Sequence, residues 1–204
     1  MTEKRFEEFI ENYLITTSVN GLKYHSTNPN LYIRELGLVG SEVLTFIQAS
    51  QPKAWQNWQE YFGEGAEDKF LKRLSKEIKD NGVLYVLRQG IRDVGVYFDL
   101  VYFEPKSGLN QDHREKYLLN RFSVVRQLKY SLQNQNSIDM VLCINGIPII
   151  SLELKNQFTG QDISHAIQQY KFDRDPKNEP LLQFKRMLVH FTVDNDAVAM
   201  TTKL

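Results

Sequence analysis

A charged pattern inside two apolar segments constrains this chain more than any other feature. The segments run from Ile138 to Ile144 and from Ile147 to Leu154, and both are rich in residues that favour strands. Asp139 and Glu153 lie inside them, although carboxylates are seldom buried without a partner. Burying them is costly unless a cation compensates their charge. The pattern therefore predicts two paired strands that share a charged site.

The side-chain parity of these strands decides whether the two carboxylates meet. Because side chains alternate along a strand, Glu153 and Lys155 share one face. A plain two-residue turn at Asn145 and Gly146 would point Asp139 away from Glu153. A three-residue loop or a bulge restores the shared face, and Gly146 suits the left-handed position of a G1 bulge. We therefore predict a bulged connection.

Such a site has a definite chemistry. Two carboxylates offer the hard oxygen ligands that suit Mg²⁺ or Mn²⁺, together with waters and a substrate phosphate. The metal would polarise the phosphoryl group and acidify a bound water, and Lys155 would orient that water or neutralise charge on phosphorus. The alternative is a half-exposed strand face on which Lys155 forms a salt bridge with a carboxylate. This short spacing also arises by chance, so the pattern alone leaves both interpretations open.

Composition narrows the class of protein. The 204 residues suffice for one core, and a formal net charge of +0 argues against a strongly basic nucleic-acid coat protein but not against local basic patches. The acidic residues in the N-terminal segment exclude a signal peptide, and no uncharged run is long enough to span a bilayer. Cys143 is the only cysteine, which predicts a reducing cytoplasm, and its apolar neighbours favour a core position.

Periodicity predicts an α/β fold with a mixed central β-sheet flanked by helices, forming a single domain over 1–204. The first predicted helix includes Phe6, Ile10, Tyr13 and Leu14, and the second starts at a cap formed by Ser41. A third helix runs from Pro52 to near Gly63. The fourth covers 67–81 and ends before Gly82, with its apolar residues Phe70, Leu71, Leu74 and Ile78 facing inward. The predicted strands run from Val94 to near Pro105, from Arg121 to Leu128, through the paired segments, and over 186–194 and 197–202, with a helix from Asp162 to Tyr170.

The fourth helix also carries a basic stripe. A solvated face is favoured over DNA contact because Glu77 and Asp80 interrupt the stripe. As DNA contacts, its members would add salt-dependent affinity without sequence choice. The stripe consists of Lys69, Lys72, Arg73, Lys76 and Lys79, of which Lys72 and Lys76 are the candidate DNA-binding residues.

Four longer segments of the sequence show a resemblance to a known family. LNRFSVVRQL, SIDMVLCINGIPIISLELKN, TGQDISHAIQQYKFDRDPKNEP and MLVHFTVDNDAVAMTT occur in this order. From about Leu87 to the end, the chain closely resembles the N-terminal region of type I restriction enzyme motor (R) subunits, and the first eighty residues do so more loosely. The resemblance implies a restriction-endonuclease-like fold of the PD-(D/E)xK type. Asp139, Glu153 and Lys155 then fall on the family's metal-binding and catalytic positions.

The resemblance implies further site residues. The family has an acidic residue in its first helix that approaches the metal; Glu7 is our choice, with Glu8 and Glu11 as alternatives and a solvated acidic face as the bland interpretation. Arg126 and Gln127 match an Arg-Gln pair that would bind DNA phosphate or orient the site. An ion pair at the strand end is the structural alternative for them.

A Gln-x-x-x-Tyr signature follows the lysine in this family. Tyr170 fits its tyrosine, but Ala166 stands where the glutamine is expected. Gln169, or Gln168, would take its place. A plain core position is the alternative for Tyr170.

The expected function is a Mg²⁺-dependent endonuclease domain, with Mn²⁺ as a substitute, that cuts double-stranded DNA without sequence choice of its own. No G-x-x-x-x-G-K-[ST] motif occurs, so ATP would act only through motor domains absent from this sequence, which we expect to be an N-terminal fragment. The expected partners are DNA and the modification and specificity subunits, with no membrane. Two alternatives are a non-catalytic docking module of the restriction complex and a free-standing resolvase or repair nuclease.

Overall fold

A mixed β-sheet forms the centre of the molecule. The computed structural model describes residues 2–17, 22–107, 110–155 and 163–204 of the chain. The six-stranded sheet has the order β1-β6-β7-β8-β9-β10, in which β1 pairs with β6 and β8 with β9 in parallel, while the other pairs are antiparallel. In chain order the strands are β1 (His25–Ser26), β2 (Tyr32–Ile33), β3 (Leu38–Val39), β4 (Ile91–Asp93), β5 (Val96–Phe98), β6 (Phe122–Lys129), β7 (Ser137–Ile144), β8 (Ile147–Leu154), β9 (Val189–Val193) and β10 (Val198–Thr201).

Helices flank this sheet, which confirms the predicted α/β class. None of the described helices is long and apolar enough to cross a membrane. A turn of π-helix over Gln169–Asp173 continues the last helix, and the predicted start of that helix at Asp162 lies outside the described residues. The helices are α1 (Glu3–Ile15), α2 (Gly40–Ser50), α3 (Pro52–Phe62), α4 (Ala66–Asn81), α5 (Val83–Gln89), α6 (Gln111–Leu118) and α7 (Ile163–Gln168).

The predicted first helix, α1, covers one face of the sheet. The Thr2 hydroxyl caps it by accepting a hydrogen bond from the third residue of the helix. Leu14 is buried against β6, β7 and the end of β8, and Phe6 and Ile10 pack beside it. Tyr13 is the exception, since its ring is largely exposed. The buried stripe holds α1 across the strands that carry the site.

The helices α2 to α5 enclose an aromatic core beside the sheet, whereas Leu181, Leu182 and Met187 cover the sheet face opposite α1. Trp58 and Phe70 meet edge to face at a centroid distance of 5.7 Å, and Phe70 contacts Phe98 at 4.9 Å. Ile144 and Ile147, at the turn between β7 and β8, belong to the same buried cluster. The predicted inward face of the fourth helix is confirmed, with its four apolar residues buried.

The prediction that Ser41 caps the second helix is wrong. The helix α2 begins at Gly40, and Val39 precedes it without a side-chain cap. The Val39 N–H instead donates to the Gly146 carbonyl at 2.8 Å, so the turn between β7 and β8 fixes the chain at this point. The start of α2 is therefore set by a tertiary contact.

The predicted long strand from Val94 is also wrong, because only Val96–Phe98 forms a strand. Val94 and Gly95 both have positive φ and turn the chain between β4 and β5. The Gln51 side chain then binds Asp99, accepting from its N–H and donating to its carbonyl, both at 2.8 Å. Because this amide occupies the backbone groups of Asp99, they are not available to a strand partner.

Candidate active site

The connection between β7 and β8 is a plain two-residue turn. Ile144 pairs with Ile147, and both intervening residues are left-handed, Asn145 with φ 50° and Gly146 with φ 76°. Such a turn matches the twist of an antiparallel pair. The predicted G1 bulge at Gly146 is therefore wrong in position.

A bulge nevertheless occurs, further along the same pair of strands. Cys143 lies opposite Pro148, whereas Leu142 lies opposite Ile150, so Ile149 is an extra residue in β8. A single extra residue reverses the side-chain parity beyond it. The shared face that the sequence required is thus restored inside the strand.

This register brings the two carboxylates together. Met140 pairs with Leu152, and the same register continued by one residue sets Asp139 opposite Glu153. Asp139 Oδ2 also accepts a hydrogen bond from the Leu154 N–H at 2.8 Å. Both carboxylates line a mainly polar cavity of about 470 Å³. The cavity is the candidate active site.

Glu153 is buried and has a buried cationic partner that the sequence analysis missed. Its side chain is 1% exposed and forms a short ion pair with Arg174, which is 2% exposed. Arg174 also donates to the Tyr130 hydroxyl and to the Ser137 carbonyl, each at 2.9 Å. Burial raises the pKa of Glu153 and the charge of Asp139 adds to the rise, while Arg174 opposes it. Arg174 thus compensates part of the negative charge of the buried carboxylates, for which the sequence analysis expected a cation.

Lys155 follows β8 at the same end of the strand. Its N–H donates to the Val193 carbonyl at 2.8 Å, which continues the ladder with β9. The side chain is 9% exposed, and its positive charge also opposes the rise in the pKa of Glu153. Lys155 therefore belongs to the electrostatic surroundings of the Glu153 carboxylate, and its catalytic role stays a prediction.

The first helix is linked to the site through Gln127. The Gln127 amide donates to Glu7 Oε1 at 2.9 Å and to Asp139 Oδ1 at 3.2 Å. Its side-chain oxygen accepts from Ser137 at 3.1 Å, and its backbone has φ 49°, a sparsely populated conformation for a residue other than glycine. Burial raises the pKa of Glu7. Glu7 reaches Asp139 through this amide, and a role as a metal ligand stays a prediction.

Arg126 faces the same helix. Its guanidinium binds Glu7 Oε2 at 3.1 Å and Glu11 Oε2 at 2.9 Å. Glu11 also accepts from Ser26 at 2.6 Å. These contacts favour the structural alternative, in which Arg126 holds α1 against the sheet.

The two residues proposed for the glutamine–tyrosine signature lie in different surroundings. Gln169 lines the cavity with Asp139 and Glu153, whereas Gln168 is exposed. The Tyr170 ring is buried, and its hydroxyl lies 2.8 Å from Ser151 Oγ, which in turn lies 2.7 Å from His190 Nδ1. This buried network joins the turn after α7 to β8 and β9. Tyr170 therefore acts in the core beside the site.

The basic stripe lies on α4, whose main contacts are with other helices. Lys72 binds Asp68 at 2.7 Å, and Lys76 forms a short ion pair with Asp80. All four side chains are exposed. These i,i+4 pairs favour the solvated face over DNA contact.

Arg174 lies beyond the helix and its π-helical turn. Its segment, KFDRDP, combines charged residues with a proline and is typical of a surface loop. The signal that could have found it is the charge requirement itself, since two inward carboxylates call for more than one cation. The spacing alone gave no reason to choose this arginine.

The residues around the cavity fit a divalent cation. Asp139 and Glu153 supply oxygen ligands at a polar opening, and the burial of Glu153 favours an added positive charge. Among the described residues, no group of three or more His, Cys, Asp or Glu side chains is placed to hold a metal. The remaining ligands would be water or substrate oxygens, as is usual for Mg²⁺.

Comparison with known proteins identifies the family. A family model described as the type I restriction enzyme R protein N terminus matches residues 5–204. No curated protein matches the chain. Because the family model spans nearly the whole chain, this protein belongs to the family of type I restriction enzyme R protein N-terminal domains.

Proposed function

We propose that this domain is a metal-dependent DNA endonuclease. One observation carries the proposal: the bulge at Ile149 puts Asp139 and Glu153 on one face, where both line the same polar cavity. Lys155 lies two residues after Glu153 and is part of its electrostatic surroundings. The family supplies the context of DNA and a restriction complex.

Asp139 and Glu153 would hold Mg²⁺, or Mn²⁺ as its substitute. A bound ion supplies Lewis-acid activation of the phosphoryl group and lowers the pKa of a bound water. Lys155 would orient the attacking water or stabilise negative charge on the phosphate. Gln169, which lines the cavity, would contact the substrate or its water shell.

The other residues around the cavity would position these groups. Gln127 holds one Asp139 oxygen, and the Leu154 N–H holds the other. Arg174 holds Glu153, and Tyr170 packs the turn after α7 against β8. Each positioned carboxylate is thus fixed before substrate arrives, which favours preorganised catalysis.

A metal-binding experiment tests the proposal. Mn²⁺ is titrated into the chain, with and without a short DNA duplex, and the bound ion is followed by electron paramagnetic resonance and located by anomalous scattering. We expect Mn²⁺ between Asp139 and Glu153, lost in Glu153→Ala and retained in the matched control Asp80→Asn, whose carboxylate is exposed on α4. Absence of bound Mn²⁺ with and without DNA would contradict the proposal.

Cleavage is tested in the assembled restriction enzyme that contains this domain. We expect Ala at Asp139, Glu153 or Lys155 to abolish cutting while DNA binding and ATP hydrolysis continue. Undiminished cutting by the Glu153→Ala enzyme would show that the reaction takes place elsewhere.

The second candidate function is a non-catalytic docking module that retains the fold. The buried Glu153–Arg174 ion pair favours it, because a salt-bridged carboxylate is stable without a metal. In that case Mn²⁺ would not bind, and surface substitutions would disrupt assembly of the complex.

A further inference from the structure

A second polar cavity lies at the other end of β6. Its volume is about 350 Å³, and it lies between β1, α2 and the segment that joins α6 to β6. This cavity is far from the candidate active site, since Gln127, which contacts Asp139, lies six positions after Arg121 along the extended chain, or about 20 Å away. The polar residues of its lining are Lys23, His25, Thr45, Asn120 and Arg121.

The lining is cationic. Lys23 and Arg121 come from two distant parts of the chain, and the described residues of the lining include no carboxylate. Glu42 lies behind His25, where it binds His25 Nε2 at 2.8 Å and Ser123 Oγ at 2.9 Å. This carboxylate orients the imidazole without itself lining the cavity.

The two cations, Lys23 and Arg121, lack an acidic partner in the described part of the chain. No ion pair involves Lys23 or Arg121 there, whereas Lys72, Lys76 and Arg126 are all paired. Arg121 Nε is moreover buried and, among the described residues, has no hydrogen-bond partner. A buried donor left unpaired is costly, so such a group calls for a bound water or ion.

The backbone holds Arg121 in place. Its N–H donates to Asn145 Oδ1 at 2.7 Å, and its carbonyl accepts from the Asn145 N–H at 2.8 Å. Asn145 is buried in the turn between β7 and β8 and also donates to the Leu100 carbonyl at 2.9 Å. The guanidinium therefore extends from a fixed point, and none of the observed hydrogen bonds depends on it.

We propose that this cavity binds a phosphate group. The planar fork of Arg121 suits phosphate oxygens, Lys23 supplies a further donor and positive charge, and His25 adds a polar ring to the lining. The volume exceeds that of a phosphate ion, so the cavity would accept a phosphate that is part of a larger molecule. That molecule is either a DNA backbone or a free phosphate ester.

Calorimetric titration of the full chain with inorganic phosphate at low ionic strength tests the site. We expect saturable binding that weakens about tenfold or more in Arg121→Gln and in Lys23→Gln, because each removes a charge-assisted contact. Lys72→Gln, which removes an equal charge from α4, is the matched control and should bind as the parent does. Absence of saturable binding, or equal binding by all variants, would overturn the proposal.

Two further titrations identify the source of the phosphate. With duplex DNA, weaker binding in Arg121→Gln and Lys23→Gln, and a salt dependence smaller by about one released counterion for each, would assign the site to the DNA backbone. Equal DNA binding, combined with weaker binding of a nucleoside monophosphate, would assign it to a free phosphate ester. Both outcomes leave the candidate active site untouched, because none of its residues is changed.

Discussion

The ion pair between Glu153 and Arg174 gives the sharpest test of how the site is held. Both side chains are almost fully buried, at 1% and 2% exposure, and Arg174 also holds Tyr130 and Ser137. Arg174→Met would leave the Glu153 carboxylate buried without this counterion. Removing one partner of a buried pair typically costs about 3–5 kcal/mol. That loss is a large fraction of the stability of an ordinary domain, about 5–15 kcal/mol.

A double-mutant cycle isolates the interaction. Urea unfolding would be measured for Arg174→Met, Glu153→Gln and the double variant. The double variant has neither charge, so its loss of unfolding free energy should be smaller than the sum of the two single losses. We expect this difference to be at least about 2 kcal/mol. Arg73→Met is the matched control, since its partners Glu77 and Asp93 are partly exposed, and it should cost no more than about 1 kcal/mol. Additive losses at Arg174 and Glu153 would refute the reasoning.

Two further predictions concern His190 and the turn between β7 and β8. Burial lowers the pKa of His190 to about 4, so below about pH 6.5 the unfolded chain takes up a proton that the folded chain does not. Between pH 6.5 and 4 the parent should therefore lose up to about 3 kcal/mol of unfolding free energy relative to His190→Gln, measured by urea unfolding. An equal loss of stability in the parent and in His190→Gln over this pH range would contradict the prediction. At Gly146, an added Cβ would lie 2.5 Å from the Val39 carbonyl oxygen and 2.7 Å from the Val43 nitrogen, so Gly146→Ala should lower the melting temperature well beyond Gly95→Ala. Gly95 is the control because it also has a positive φ, 79°, but no atom lies within 4 Å of its added Cβ. Equal decreases in melting temperature in Gly146→Ala and Gly95→Ala would disprove the effect of crowding.

The paired strands could be predicted from the sequence, but the position of the bulge could not. Alternation and the two inward carboxylates required a change of parity between Asp139 and Glu153. The four residues from Ile147 to Ile150 are all apolar, so no side chain marks the extra residue. The turn residues Asn145 and Gly146 suit either geometry, so they do not locate the extra residue.

Two other differences between prediction and structure have a common physical cause: contacts with residues distant in the sequence determine the local structure. The Gln51 amide occupies the backbone groups of Asp99, 48 residues away, so the apolar alternation after Phe98 does not become a strand. Arg174 reaches Glu153 only because the chain after α7 turns back over the sheet. Neither contact leaves a periodic trace in the sequence.

The link between α1 and the site has a consequence for the order of folding. Glu7 and Gln127 are separated by 120 residues, and Arg126 and Glu11 by 115. Contacts so distant along the chain form slowly, because much of the chain must be ordered before they close. During synthesis α1 leaves the ribosome before β6, so it finds these binding partners only after β6 has followed. The carboxylates of this domain therefore acquire their final surroundings late, once the earliest and the later parts of the chain have met.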